Sequence, residues 1–293
     1  MHATSSLTPG GLSGDMHIPM PIAALALLAL VMPTQGQAGQ SDWQEVAPDV
    51  RVRLIASDVR EPDGTLRAAL EIDMPEGVKT YWRVPGETGI PTEFDLSGSL
   101  GISGHEVHWP YPLADTKSGY LDYVYYGHTV LPFSVRLSDG PVRIEAMMVM
   151  GICSDVCVPV QARLSLPVDF ETPDRASALR IRQAMAETPI DWTGPHPAIG
   201  PVEWSVRHDA LAVSLQSPDI DPESIIVDAG ARGPLFGAPQ KSPDGNLVLL
   251  PLLGKHDAAG LEGKSINITF VTPAGAFEMS RRVAPAQSTR AGQ

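Results

Sequence analysis

Short stretches in which apolar and polar residues alternate recur along most of the chain, with turn formers between them. Val50-Arg51-Val52-Arg53-Leu54-Ile55 alternates, and so does Leu66-Arg67-Ala68-Ala69-Leu70-Glu71-Ile72 after the turn Pro62-Asp63-Gly64. A period of two puts successive side chains on opposite faces of a strand, whereas a helix repeats every 3.6 residues. Gly (27) and Pro (28) are scattered between these runs, which predicts many turns and an all-β architecture. About seven or eight short strands between 43 and 170 fit a β-sandwich. The first half also holds Lys79-Thr80-Tyr81-Trp82-Arg83, a loop dense in turn formers (84–95), a strand end at 106–110, and strands near 123–131, 133–137, 142–150 and 158–168.

Residues 172–188 break the alternation. Thr172 suits a cap and Pro173 the first helical position, and Ala178, Ile181 and Met185 share one helical face. The expectation is a short linker helix within 171–199, lying on a sandwich. Alternation returns at 204–206, 210–215, 225–227, 247–252, 266–271 and 276–283, which predicts a second β-sandwich over 200–283 and a frayed tail at 284–293.

The N-terminus carries an uncharged apolar run, Ile22 to Met32, too short to span a bilayer and of the right length for a signal-peptide core. Small residues at Gly36 and Ala38 place the expected cleavage after Ala38. No Lys or Arg precedes the run and Asp15 is acidic, so Met16 or Met20 is an alternative start. Export to the periplasm, a compartment that permits disulfides, is the reading. The net charge of -13 argues against a nucleic-acid partner, because phosphate binding needs clustered Lys and Arg.

Both cysteines of the chain, Cys153 and Cys157, fall inside GICSDVCVPV (151–160). Strands on either side make Ser154-Asp155-Val156 the tip of a hairpin, and residues flanking such a tip come close enough for a disulfide. As a brace the bond closes almost the shortest useful loop, for about 2 kcal/mol at most by chain entropy. A redox pair therefore has the most support, with a structural staple and a metal site as alternatives. Nothing local depresses the thiol pKa: Asp155 lies between the cysteines and no Lys or Arg is close in sequence. That suits a dithiol that gives electrons away. His105, His108 and His128 are candidates to approach in space. Met147, Met148 and Met150 precede the pair, and thiolate with thioether favours Cu(I). A copper-tolerance protein using Cys153, Cys157, Met147 and Met150 is thus one rival, although Met148 and Met150 alternate as core residues do. A scaffold sandwich with an inert disulfide is the other.

The stretches 79–99 (KTYWRVPGETGIPTEFDLSGS), 108–112 (HWPYP), 119–137 (GYLDYVYYGHTVLPFSVRL) and 151–168 (GICSDVCVPVQARLSLPV) together resemble the N-terminal periplasmic domain of DsbD-type thiol:disulfide interchange proteins. The Cys-x3-Cys spacing and a second sandwich make the chain more similar to the ScsB branch. The resemblance implies immunoglobulin-like sandwiches and makes Cys153 and Cys157 the redox disulfide. It implies electrons received from a membrane-embedded dithiol and passed to periplasmic thioredoxin-like proteins, with no cofactor. It also implies a loop that covers the disulfide. The candidate is 84–95, with Tyr81 and Trp82 leading into it and Glu87 and Asp155 as further shielding residues. Cys157 is the choice for the cysteine that bonds to partners. Family members carry a membrane domain and a thioredoxin-like domain on the same chain; this sequence stops after the second sandwich, so the expectation is a donor in trans or, failing that, a chain that has lost the relay.

Overall fold

The computed structural model describes residues 39–231, 233–242, 245–254 and 258–285. The expected export signal (1–38) and the tail from 286 onward lie outside the described residues. No helix among the described residues is long and apolar enough to cross a membrane.

The first half is a two-sheet sandwich. Its strands are β1 (Gln44–Ala47), β2 (Val50–Arg60), β3 (Thr65–Asp73), β4 (Lys79–Gly86), β5 (Glu93–Asp95), β6 (Ile102–Val107), β7 (Leu113–Asp115), β8 (Asp122–Tyr126), β9 (Thr129–Leu137), β10 (Arg143–Cys153) and β11 (Cys157–Pro167). One sheet runs β1-β2-β3-β9-β6 and the other β11-β10-β4-β8-β7, with β5 added along β10. Alternation does what the sequence implies: Val52, Leu54, Leu66, Leu70, Phe133, Ile144 and Met148 all point into one core with Trp82. The expected loop 84–95 is shorter than its turn formers suggest. Val84, Pro85 and Gly86 continue β4, and Glu93–Asp95 pairs with β10, which leaves 87–92 as the true connection.

Helix α1 (Arg175–Ala186) follows. Its cap is Asp174 rather than Thr172, because the Asp174 carboxylate accepts from the Ala176 and Ser177 amides at 2.9 and 3.1 Å. Thr172 turns back and donates to Asp169 instead. Ser177, Ile181 and Ala184 are buried and Met185 packs beside them against Ile55 and Ala69 on the sheet that lacks the cysteines. The helix therefore lies on the sandwich and away from the sulfurs.

The second half forms a second sandwich. The ladder 226–228/265–272/275–284 joins the ladder 199–205/210–215/247–253 where Val202–Glu203 runs parallel to Val283–Ala284. Ile199, Val213, Val227, Leu250 and Phe270 fill its core. The two sandwiches touch: Ile226 packs into the first core, Tyr111 donates to the Ser224 carbonyl at 2.7 Å, and Arg83 reaches Asp228 at 2.9 Å and also Glu278.

Candidate functional site

The β10–β11 hairpin keeps an unbroken register from Arg143↔Pro167 to Cys153↔Cys157. Ile144, Ala146, Met148, Met150 and Ile152 take the core face, so parity sends Cys153 to the outer face. Register and face together bring the two Cα atoms to 4.1 Å, and the sulfurs are bonded at 2.04 Å. Cys153 is fully buried, whereas Cys157 is exposed at the hairpin tip with Ser154, Asp155 and Val156. One end of the bond is open to a second thiol and the other is shut.

What shuts it is Tyr81. This residue is opposite Val124 on β8, on the same outer face as Cys153, and its hydroxyl lies 2.9 Å from the Cys153 sulfur and 3.1 Å from that of Cys157. Burial raises the Tyr81 pKa, so the group remains a hydroxyl and a donor. The connection 87–92 lies on the ring. A Cβ built at Gly89 would sit 2.3 Å from ring carbon Cδ1, and one at Gly151 would meet Ile90 at 3.0 Å and the ring at 3.1 Å. A side chain at Gly89 would therefore displace the ring, and one at Gly151 would press the ring and Ile90 back by a few tenths of an ångström.

Beside the sulfurs lies a buried ion cluster. Lys79 is opposite Cys153 across β4 and β10. Its Nζ donates to Asp115 at 2.8 Å and to Asp122 at 3.2 Å, and stands 5.7 Å from the Tyr81 ring centroid. Tyr126 donates to Asp115 at 2.6 Å. Burial alone pushes Asp115 up, but hydrogen bonds from Lys79 and Tyr126 outweigh it and hold the carboxyl down at about 2. Burial pushes Lys79 down, and its two carboxylate partners more than reverse that. Asp122 also accepts from the Thr88 amide at 3.0 Å and the Thr88 hydroxyl at 2.6 Å, which fastens the covering connection. Gly86, at φ +91°, is required here: a Cβ would lie 2.2 Å from the Leu121 carbonyl and 2.6 Å from Asp122 Cα.

The remaining candidates fall elsewhere. Trp82, one residue from Tyr81, takes the opposite face and is fully buried in the sandwich core, so it does not shield the disulfide. Glu87 anchors the connection by accepting from the Leu121 amide at 2.8 Å. Asp155 is exposed at the hairpin tip. His108 bonds Ser134 at 2.7 Å, His128 bonds Glu71 at 2.9 Å, and His105 stands on β6 of the other sheet. The copper set is not assembled. Met150 is in the core on the face opposite Cys153, and Met147 is six residues up the strand, about 20 Å away. Absence of a basic residue near the cysteines holds in sequence and fails in space, because strand pairing delivers Lys79. Lys79, Asp115, Asp122 and Tyr126 carried one legible signal, a lysine two residues before Tyr81 and so on the same face of the strand.

Residues 50–169 match the family model described as thiol:disulfide interchange protein DsbD, N-terminal, and the first sandwich is an immunoglobulin-like domain of the DsbD/ScsB N-terminal type. It is thus a thiol:disulfide interchange domain, and its cysteine pair lies at the position just described. Among solved structures the chain is similar to the N-terminal periplasmic domain of ScsB from Proteus mirabilis. The two share 25% identity over 84% of this chain and 99% of that one, at a TM-score of 0.67. The CupB2 chaperone of Pseudomonas aeruginosa (74% of this chain, 93% of that one) and the periplasmic chaperone SfaE (80% and 99%) align at 10% identity. Their TM-scores of 0.20 and 0.19 carry no argument. No curated protein matches the chain.

Proposed function

We propose that the chain is a periplasmic dithiol relay that takes electrons from a membrane-embedded dithiol and passes them to thioredoxin-like proteins. The observation that carries this reading is the asymmetry of the pair: Cys157 is exposed, and Cys153 is buried under a hydroxyl that touches both sulfurs. A donor thiolate attacks the Cys157 sulfur. The Cys153–Cys157 bond breaks, and its electron pair goes to the Cys153 sulfur, which receives a hydrogen bond from Tyr81. The donor's second thiolate then attacks the donor sulfur of the mixed disulfide and releases Cys157. The donor leaves oxidised, and two electrons and two protons now reside on the pair. In the second half, the Cys157 thiolate opens a client disulfide, and Cys153 attacks Cys157 to re-form the original bond and free the reduced client. Each step is thiol–disulfide exchange and needs no cofactor.

The test is trapping. Cys153→Ser leaves the exposed cysteine to form a mixed disulfide that nothing resolves, and such adducts with thioredoxin-like proteins are expected on non-reducing gels of periplasmic extract. Cys157→Ser is expected to give none. Adducts of equal yield from both variants, or from neither, would remove the assignment of Cys157.

A further inference from the structure

The buried Lys79–Asp115–Asp122 cluster stands next to Cys153, the buried member of the cysteine pair. We propose that it is a charge-setting, positioning element of the thiol pair, whose net negative charge keeps the reduced Cys153 a protonated thiol. The proposal deepens the relay reading and rests on it for its purpose.

Three observations converge. Backbone pairing places Lys79 opposite both Cys153 and Tyr126, so one row across the outer face reads Cys157, Cys153, Lys79, Tyr126. The cluster holds one cation and two carboxylates within hydrogen-bond distance of each other, and all three side chains are buried, with relative exposures of 11% for Lys79, 5% for Asp115 and 0% for Asp122. Two carboxylates against one ammonium leave the cluster with a net negative charge, and Asp122, through the Thr88 hydroxyl on the covering connection, stands on the side of the cluster next to Tyr81, whose hydroxyl touches both sulfurs. Other charges nearby are Asp155 at the hairpin tip, Glu87 on the Leu121 amide, and Lys117, whose Nζ lies 5.2 Å from the Tyr126 ring centroid. A negative surrounding disfavours a thiolate. A dithiol that is not stabilised as thiolate is a better electron donor, the role the relay assigns it. Asp122 adds position to charge, because the same carboxylate holds Thr88 and with it the cover over Tyr81.

The measurement is the titration of 13Cβ-labelled cysteine by NMR in the chain carrying both sandwiches, reduced with a phosphine. Wild-type Cys153 is expected to titrate above the ordinary thiol value of about 8.5. Asp115→Asn and Asp122→Asn are each expected to lower the midpoint by about one pH unit, about tenfold more thiolate at a given pH, and Lys79→Met to raise it by a similar amount. Opposite signs from opposite charges separate an electrostatic role from a purely structural one, which would move all three variants together or none. A wild-type midpoint at or below about 8.5 overturns the proposal even if no variant folds; so does any variant that is unmoved or moves the wrong way. Because chemical reduction replaces the donor, this result is independent of trapping. The relay can fail with the charge effect intact, and the reverse holds as well.

Discussion

The first sandwich buries Asp58, Glu71, Lys79, Asp115 and Asp122, whereas the second, among its described residues, buries no charged side chain and only the hydroxyls of Ser224, Ser242, Thr269 and Thr272. Both are β-sandwiches with a continuous apolar core, so the fold itself does not call for buried charge. Taking an ion out of water costs several kcal/mol, which its partners repay only when geometry and hydrogen bonding are good. The first sandwich bears that cost on the outer faces of its two sheets. Glu71 gathers Arg53, Arg180 and His128 and so ties α1 to its sheet, while the Lys79 cluster lies beside the disulfide. Where buried charge concentrates in one of two similar domains, chemistry is the better explanation than stability.

The largest effect that tests this contrast is the loss of one partner from the ion cluster. Lys79→Met leaves two buried carboxylates facing each other and is expected to cost about 3–5 kcal/mol. Ser224→Ala in the second sandwich removes a hydroxyl that bridges the Asp221 carbonyl and the Val271 amide, and is expected to cost about 1 kcal/mol. Denaturant midpoints of the two variants give the comparison. Equal losses would mean that the polar interiors of the two sandwiches carry equal weight.

Next comes pH. Asp58 lies in β2 at φ 52° and is fully buried. Burial first, and then repulsion from Asp174 and Asp169, raise its pKa to about 7. A carboxyl raised in the folded state binds its proton more tightly there than in the unfolded chain. It therefore opposes folding progressively as pH rises from about 4 to about 7, and by a constant amount above that. Asp115, held at about 2, has the opposite sign and loses its contribution only below about pH 4, so the two windows do not overlap. Asp58→Asn is expected to flatten the stability profile between pH 4 and 7 and to add roughly 2–4 kcal/mol at neutral pH. An unchanged slope in urea midpoints across that range would show that Asp58 stays ionised in the fold.

Alternation made the sandwich readable, and hairpin logic made the meeting of Cys153 and Cys157 readable, because both are properties of neighbours in sequence. Tyr81 and Trp82 show where that logic stops. The sequence offered both as shields; a one-residue difference in parity sends Tyr81 to the sulfurs and Trp82 to the core, and only knowing which face of β4 is outward separates them. Lys79 and Asp115 are 36 residues apart, and Lys79 and Asp122 are 43 apart. Their meeting depends on the order β10-β4-β8-β7, which no local pattern encodes. The capping residue slipped from Thr172 to Asp174 for a smaller reason: both are good caps, and the carboxylate two residues on satisfies two amides at once.

The smallest expected effect asks whether the two regions are separate in energy as well as in composition. Arg83 is on β4 two residues after Tyr81. Its guanidinium lies 4.3 Å from the Trp82 ring centroid and pairs with Asp228 and Glu278 of the second sandwich. Those carboxylates are part-exposed, at 17% and 23%, so they rehydrate when the arginine is lost. Arg83→Met is accordingly expected to cost only about 1 kcal/mol. The informative readout is where that loss falls. With Ile226 in the first core and Tyr111 bonded to Ser224, the junction is shared, and native-state hydrogen exchange is expected to quicken in both sandwiches by the same factor. Exchange that quickens in β4 and β10 alone would mean that the second sandwich folds independently and does not brace the strand that carries Tyr81.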